Sequence, residues 1–167
     1  MSDTLYERYN TGNNDYYSFG ATVWYGQTFT TTDAISVSSV KFILGREESP
    51  GTITVSIRAV DVDGKPTGSD LAYGTKDCNS IAVSPLFEWV EITFETPVSL
   101  DAATQYAVVI RATEIGEGYV NLVRVRAKLT SPSYDDGVMV GSDDSSGDTW
   151  WIESGADFMF QVWGVQK

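Results

Sequence analysis

The residues of this sequence that could do chemistry are aromatics and carboxylates, because the commoner catalytic partners are missing. The sequence has no histidine, which removes Ser-His-Asp and Cys-His nucleophilic catalysis and every His-containing zinc site. Its single cysteine, Cys78, forms neither an intrachain disulfide nor a Cys-rich metal cluster, and reads as a small core residue. What remains for catalysis is a carboxylate pair, which hydrolyses a glycoside only when held about 5–9 Å apart across a cleft. Glu88, Glu91 and Glu95 qualify by residue type alone. Glu91 and Glu95 alternate with the apolar Val90, Ile92 and Phe94, so they read as the solvated face of a strand. The expectation is a chain that is not an enzyme.

Exposed aromatics are the better lead. Sugar rings stack on Trp and Tyr faces, and protein hot spots favour the same residues. Trp89 falls opposite Val90, Ile92 and Phe94 and is predicted to face outward or lie under a loop. Trp150 and Trp151 are neighbours on a predicted strand, so one of them points away from the core. Tyr134, Tyr16 and Tyr17 complete the candidate ligand-binding set, with Phe19 and Trp24 as further members. The competing reading is core packing, above all for Trp24 and for one of Trp150 and Trp151.

Two acidic segments invite a metal reading. Asp61-Val62-Asp63-Gly64 opens like a calcium loop, but a helix-flanked loop needs Gly at its sixth position and Glu at its twelfth. Those positions hold Pro66 and Ala72, so only a plain turn or a looser Ca²⁺ site using Asp61, Asp63 and Asp70 is left. The segment Asp143 to Trp150 resembles the Asp-box hairpin of sialidases and other β proteins, Ser-x-Asp-x-Gly-x-Thr-Trp. Asp143 stands where Ser is expected and Ser145 where Asp is expected. Ser145 could bond the backbone of the turn, and Gly147 supplies a positive φ. That is a folding element first; as a metal site, Asp143, Asp144 and Asp148 would supply oxygen ligands to Ca²⁺. The only basic run, Arg124, Arg126 and Lys128, shares one strand face and reads as a solvated face, an edge guard or a dock for an acidic neighbour.

Strands must position these groups. Period-two alternation recurs along the chain, broken by Gly, Pro, Asp, Asn and Ser clusters. Residues 23–30 place Val23, Tyr25, Gln27 and Phe29 on one face, and residues 36–44 turn Val40, Phe42 and Leu44 inward. Ile53, Val55 and Ile57 form the clearest half-buried strand, within residues 52–60. Val90, Ile92 and Phe94 follow, then Tyr106, Val108 and Ile110. Further strands are expected at 71–73, 118–126, 138–140, 149–152 and 158–163. Eight to ten short antiparallel strands with long connections predict an all-β, jelly-roll-like sandwich. Residues 1–21 read as an N-terminal arm or first strand, and 22–167 as one sandwich domain.

The 167 residues carry a net charge of −12, so the surface repels phosphate backbones and nucleic acid is not an expected partner. No stretch approaches the ~18 apolar residues of a membrane-spanning helix, so no membrane insertion is expected. No secretory signal is visible after Met1.

Four passages together resemble the β-sandwich modules called choice-of-anchor R domains, found in bacterial surface proteins and in phage virion or tail proteins. They are Gly26-Gln27-Thr28-Phe29-Thr30 followed by Val37-Ser38-Ser39-Val40; Pro50 to Val55 with Asp63 to Gly68 and Leu71-Ala72; Trp89 to Phe94 with Pro97 to Leu100 and Thr104 to Val109; and Ser145 to Trp150 with Asp157 to Phe160. The resemblance spans about residues 26–164 and implies a sandwich without catalytic residues. With the aromatics and the missing leader, it leads to a non-catalytic structural or adhesion module on a virion or extracellular surface, such as a capsid decoration or tail component. Its partners would be neighbouring proteins of a particle or homo-oligomer, or surface glycans. The alternative is a carbohydrate-binding module using exposed Trp and Tyr.

Overall fold

The computed structural model describes residues 2–12, 15–112 and 120–167. The chain opens with β1 (Thr4–Tyr9), β2 (Asp15–Phe19), β3 (Trp24–Thr30), β4 (Ile35–Glu47), β5 (Thr52–Val60) and β6 (Pro66–Asp77). A single 3-10 turn, Cys78–Ser80, precedes β7 (Glu88–Leu100), β8 (Gln105–Ala112) and β9 (Leu122–Lys128). The chain closes with β10 (Met139–Ser142), β11 (Trp151–Glu153), β12 (Asp157–Phe158) and β13 (Phe160–Gln166).

These strands form two antiparallel sheets packed face to face. The seven-stranded sheet runs β1-β13-β4-β9-β12, with β7 on the other edge of β4 and β2 on β9. The six-stranded sheet runs β11-β10-β3-β8-β5-β6. The chain crosses repeatedly between the sheets, as a jelly-roll-like sandwich requires. Period-two alternation puts Val40, Phe42 and Leu44 against Ile53, Val55 and Ile57, with Val90, Ile92, Phe94, Tyr106, Val108 and Ile110 around them, all buried. Cys78 joins this core, and burial pushes its thiol up to about 12.

There are more strands than the eight to ten expected, and the arm is one reason. Its β1 pairs with the last strand, β13, and its β2 pairs with β9. Residues 1–21 therefore supply two outer strands of the seven-stranded sheet. The segment expected as a short strand at 71–73 extends into the twelve residues of β6.

A buried polar link ties the sheets together. Gln27 on β3 donates from Nε2 to Asp157 Oδ1 at 3.1 Å and accepts from the Phe158 amide at 2.9 Å. Burial raises the Asp157 carboxyl above its usual range, opposed by the Tyr134 amide and Gln27. Along the row Gly141–Tyr25–Ile110–Val55–Gly74 the residues are register partners on one face of the six-stranded sheet. At its end Gly74 lies so close to β7 that a Cβ would collide with the Thr93 carbonyl. Gly74→Ala is therefore expected to lower stability by about 2 kcal/mol through overpacking against backbone. The urea midpoint checks it, and an unchanged midpoint would show that the two edges separate freely.

Candidate functional site

The sequence candidates fall into four places. The first lies on the outer face of the six-stranded sheet. There Trp24, Ala107, Val109, Val140 and Trp150 form a small apolar cluster of their own. The 143–150 turn folds over it. Trp150 is only 5% exposed, and its Nε1 donates to the Gly147 carbonyl at 2.9 Å.

The turn corrects the alignment made from sequence. One residue is inserted relative to the Asp-box spacing, so Asp144 takes the backbone-binding role expected of Ser145. Its carboxylate accepts from the amides of Ser146, Gly147, Asp148 and Thr149 and from the Ser142 hydroxyl. Partial desolvation raises the Asp144 carboxyl, but the Ser146 amide, the Ser142 hydroxyl and the Gly147 and Thr149 amides outweigh it and hold the group well below the usual range. Gly147 has φ +70, as expected. The proposed Ca²⁺ trio of Asp143, Asp144 and Asp148 is not gathered. Asp144 is spent on the turn's donors, Asp148 accepts from the Ser146 hydroxyl at 2.9 Å, and Asp143 faces solvent.

The looser trio does not assemble either. Asp61 accepts from the Asp63 and Lys65 amides and closes a turn. Asp70 lies on β6, where Arg58 Nε donates to it at 2.8 Å and Arg111 Nη2 at 2.5 Å. Both guanidinium groups stack on Trp24, with Cζ 5.1 and 4.7 Å from the ring centroid. Among the described residues no three acids, Cys or His cluster as a metal site would require.

The second place holds Tyr134, half-buried against the core. Its ring packs 5.8 Å from Tyr9 and 5.2 Å from Phe160, and its hydroxyl donates to Glu7 at 2.9 Å. Burial first, and then the Glu7 carboxylate, push the phenol far above its usual range. The ring packs against the core from its rim and its polar tip is satisfied.

The third place is the outer face of the seven-stranded sheet. Trp89, paired with Ile43, is 40% exposed, as predicted. Beside it the 81–87 connector crosses the sheet over Gly45, where a side chain would strike the Leu86 carbonyl and Phe87. Phe87 reaches Tyr16 at 5.7 Å and lies 3.9 Å beneath Arg126; Arg124 stacks on Tyr16 at 4.4 Å. Arg124 also donates to Ser84 at 2.6 Å and pairs with Glu47. The basic run does alternate outward from Val123, Val125 and Ala127. Its two arginines are layered with aromatic rings rather than simply solvated, which the spacing of the run did not show. Sequence reasoning also missed the connector. Val83 and Leu86 stand 50% and 68% exposed there, joined by a hydrogen bond from the Leu86 amide to the Val83 carbonyl. Val83 lines a groove of about 370 Å³ with Arg46, Glu47, Glu48, Ser84 and Val120. The signal available was an apolar Leu86-Phe87 step in a segment otherwise reading as turn.

The fourth place is the edge of the six-stranded sheet at β11, two strands out from Tyr25 of β3, on which Tyr17 of β2 packs at 5.3 Å. Trp151 and Tyr17 meet the solvent there, Trp151 at 37% exposure. The pair Trp150 and Trp151 thus splits as strand alternation demands.

The carboxylates considered for catalysis have local partners. Glu88 accepts from the Ala82 amide at 2.7 Å, Glu91 accepts from Ser39 at 2.8 Å and pairs with Lys41, and Glu95 lines a shallow groove beside Tyr73.

No protein-family model matches this sequence, and no curated protein does. Two solved structures of a CocE/NonD family hydrolase from Staphylococcus aureus align with 98% of the chain. Their TM-scores are 0.46 and 0.43, at 10% and 11% identity. The chain spans only 37% and 34% of those hydrolase chains.

Proposed function

We propose that this chain is a non-catalytic structural or adhesion module displayed on a surface, such as a capsid decoration or tail component. It docks to a neighbouring protein through the outer face of its seven-stranded sheet. The observation that carries this reading is the gathering of exposed Val83, Leu86 and Trp89 at one corner of that sheet, beside Arg46, Arg124 and Arg126. A half-exposed Trp with arginines beside it is the residue chemistry in which protein hot spots are enriched, and Val83 and Leu86 add apolar area around it. The mixed rim of Arg46, Arg124 and Arg126 with Glu47 and Glu48 suits a neighbour that presents both charges.

A double variant, Leu86→Asp with Trp89→Ala, tests the surface without entering the core. Loss of a central aromatic anchor costs about 2 kcal/mol or more of binding, so retention in purified particles should fall about 30-fold or more. Mass spectrometry of the particles reads the retention, with circular dichroism checking the fold. Absence of the wild-type chain from any assembly, or undiminished retention of the variant, counts against the proposal.

A further inference from the structure

The β11 edge carries a different chemistry from the docking corner, and Tyr17 reaches towards it from the face of β2 opposite the Tyr16–Arg124 stack. Trp151 is the register partner of Gly141, and its indole lies across that glycine where any side chain would collide with Cζ2. One ring face is thereby fixed against backbone, and the side chain still keeps 37% of its surface in solvent. On the other side Gly141 pairs with Tyr25, whose ring sits 5.3 Å from Tyr17 across the gap between the sheets. Neither phenol hydroxyl has a hydrogen-bond partner among the described residues. Glu153, two residues beyond Trp151 on the same face, uses one carboxylate oxygen on the Gly155 amide at 3.1 Å. Its other oxygen has no partner among the described residues. Asp15 stands two residues before Tyr17 on β2, and burial first, then the charges of Glu153 and Asp15, raise the Tyr17 phenol.

We infer that this edge binds a neutral saccharide, with the C–H face of one pyranose ring stacked on Trp151 and its hydroxyls bonded to Glu153 and Tyr17, while Tyr25, buried beneath Tyr17, backs the site. The rigid indole supplies a pre-set platform, so little side-chain entropy is lost on binding. A flat aromatic face suits the apolar side of a sugar ring. A free carboxylate oxygen and the Tyr17 phenol match the donors and acceptors of vicinal hydroxyls. The negative charge of Asp15 and Glu153 selects against uronic and sialic acids, whose carboxylates they repel.

The test uses the full chain and five neutral probes, namely cellohexaose, maltohexaose, xylohexaose, mannohexaose and laminarihexaose, with polygalacturonate as the acidic comparison. Tryptophan fluorescence and calorimetry read binding. At least one neutral probe should bind, Trp151→Ala should weaken it at least 30-fold, and Glu153→Gln, which leaves the platform in place, about 10-fold. Glu91→Gln should leave saccharide affinity unchanged, and polygalacturonate should bind no better than the weakest neutral probe. The inference is overturned if none of the five binds at millimolar concentration. Trp151→Ala and Glu153→Gln both binding like the wild type, or polygalacturonate binding best, overturns it equally.

Discussion

Replacing Asp70 by Ala is expected to cost this domain about 3–4 kcal/mol, a fall of roughly 10 °C in its thermal midpoint for a chain of this size. Asp70 is the acceptor shared by Arg58 and Arg111, whose side chains are 10% and 11% exposed. Removing it leaves two guanidinium groups side by side, largely out of water, with no counter-charge. Asp70→Asn keeps the shape and one acceptor and should fall between. Replacing Asp70 by Ala together with Arg111 by Met should recover part of the loss, because an apolar side chain needs no partner there. The effect should also follow pH. Burial raises the Asp70 carboxyl, but Arg58 and Arg111 outweigh it and hold the group below its ordinary range. A depressed folded-state value means that its contribution is complete above the unfolded value of about 3.9 and fades as pH falls through the lower folded value. Urea denaturation of wild type and variant should differ fully at pH 7 and converge in strong acid. Equal midpoints at pH 7 would show that the ion pairs carry no net stability.

Asp70 also marks the limit of reading this chain from its residues. The core was legible because a half-buried strand writes its burial every second residue, and Val40, Val55, Ile92 and Val108 all point where alternation sends them. Asp70 was not, because Asp61, Asp63 and Asp70 are neighbours only along the chain. Strand β6 starts at Pro66 and carries Asp70 onto a sheet face, towards arginines 12 and 41 residues away. The docking corner was hidden for a related reason. Its 81–87 connector has no period, and its placement depends on Gly45 being flat enough for Leu86 and Phe87 to lie across it. Alternation supplied the outward turn of Trp89 but not its apolar neighbours.

Alternation also stated that Trp150 and Trp151 part company without saying which is buried, and this sets up the second large effect. Trp150→Ala should cost about 3–5 kcal/mol, as for large aromatic truncations in cores. Trp151→Ala should cost under about 1 kcal/mol, as for a partly exposed edge residue. The choice is made by the 143–150 turn. Asp144 gathers four amides and closes the loop, which brings Gly147 against Trp24 so tightly that a Cβ would collide with the ring. The Gly147 carbonyl then receives both Trp150 Nε1 at 2.9 Å and Arg58 Nη1 at 3.3 Å. Removing the Trp150 indole opens a cavity over Val109 and Val140, strips one side of Trp24 and leaves that carbonyl with Arg58 alone. The apolar cluster lies on the far side of the sheet from the main core, so the damage should begin locally. Amide exchange at Ser146 to Thr149 should speed at least tenfold before the global urea midpoint is reached, and Trp151→Ala should leave those amides protected. If the two variants lose equal stability, the Asp144 turn does not decide which indole is buried.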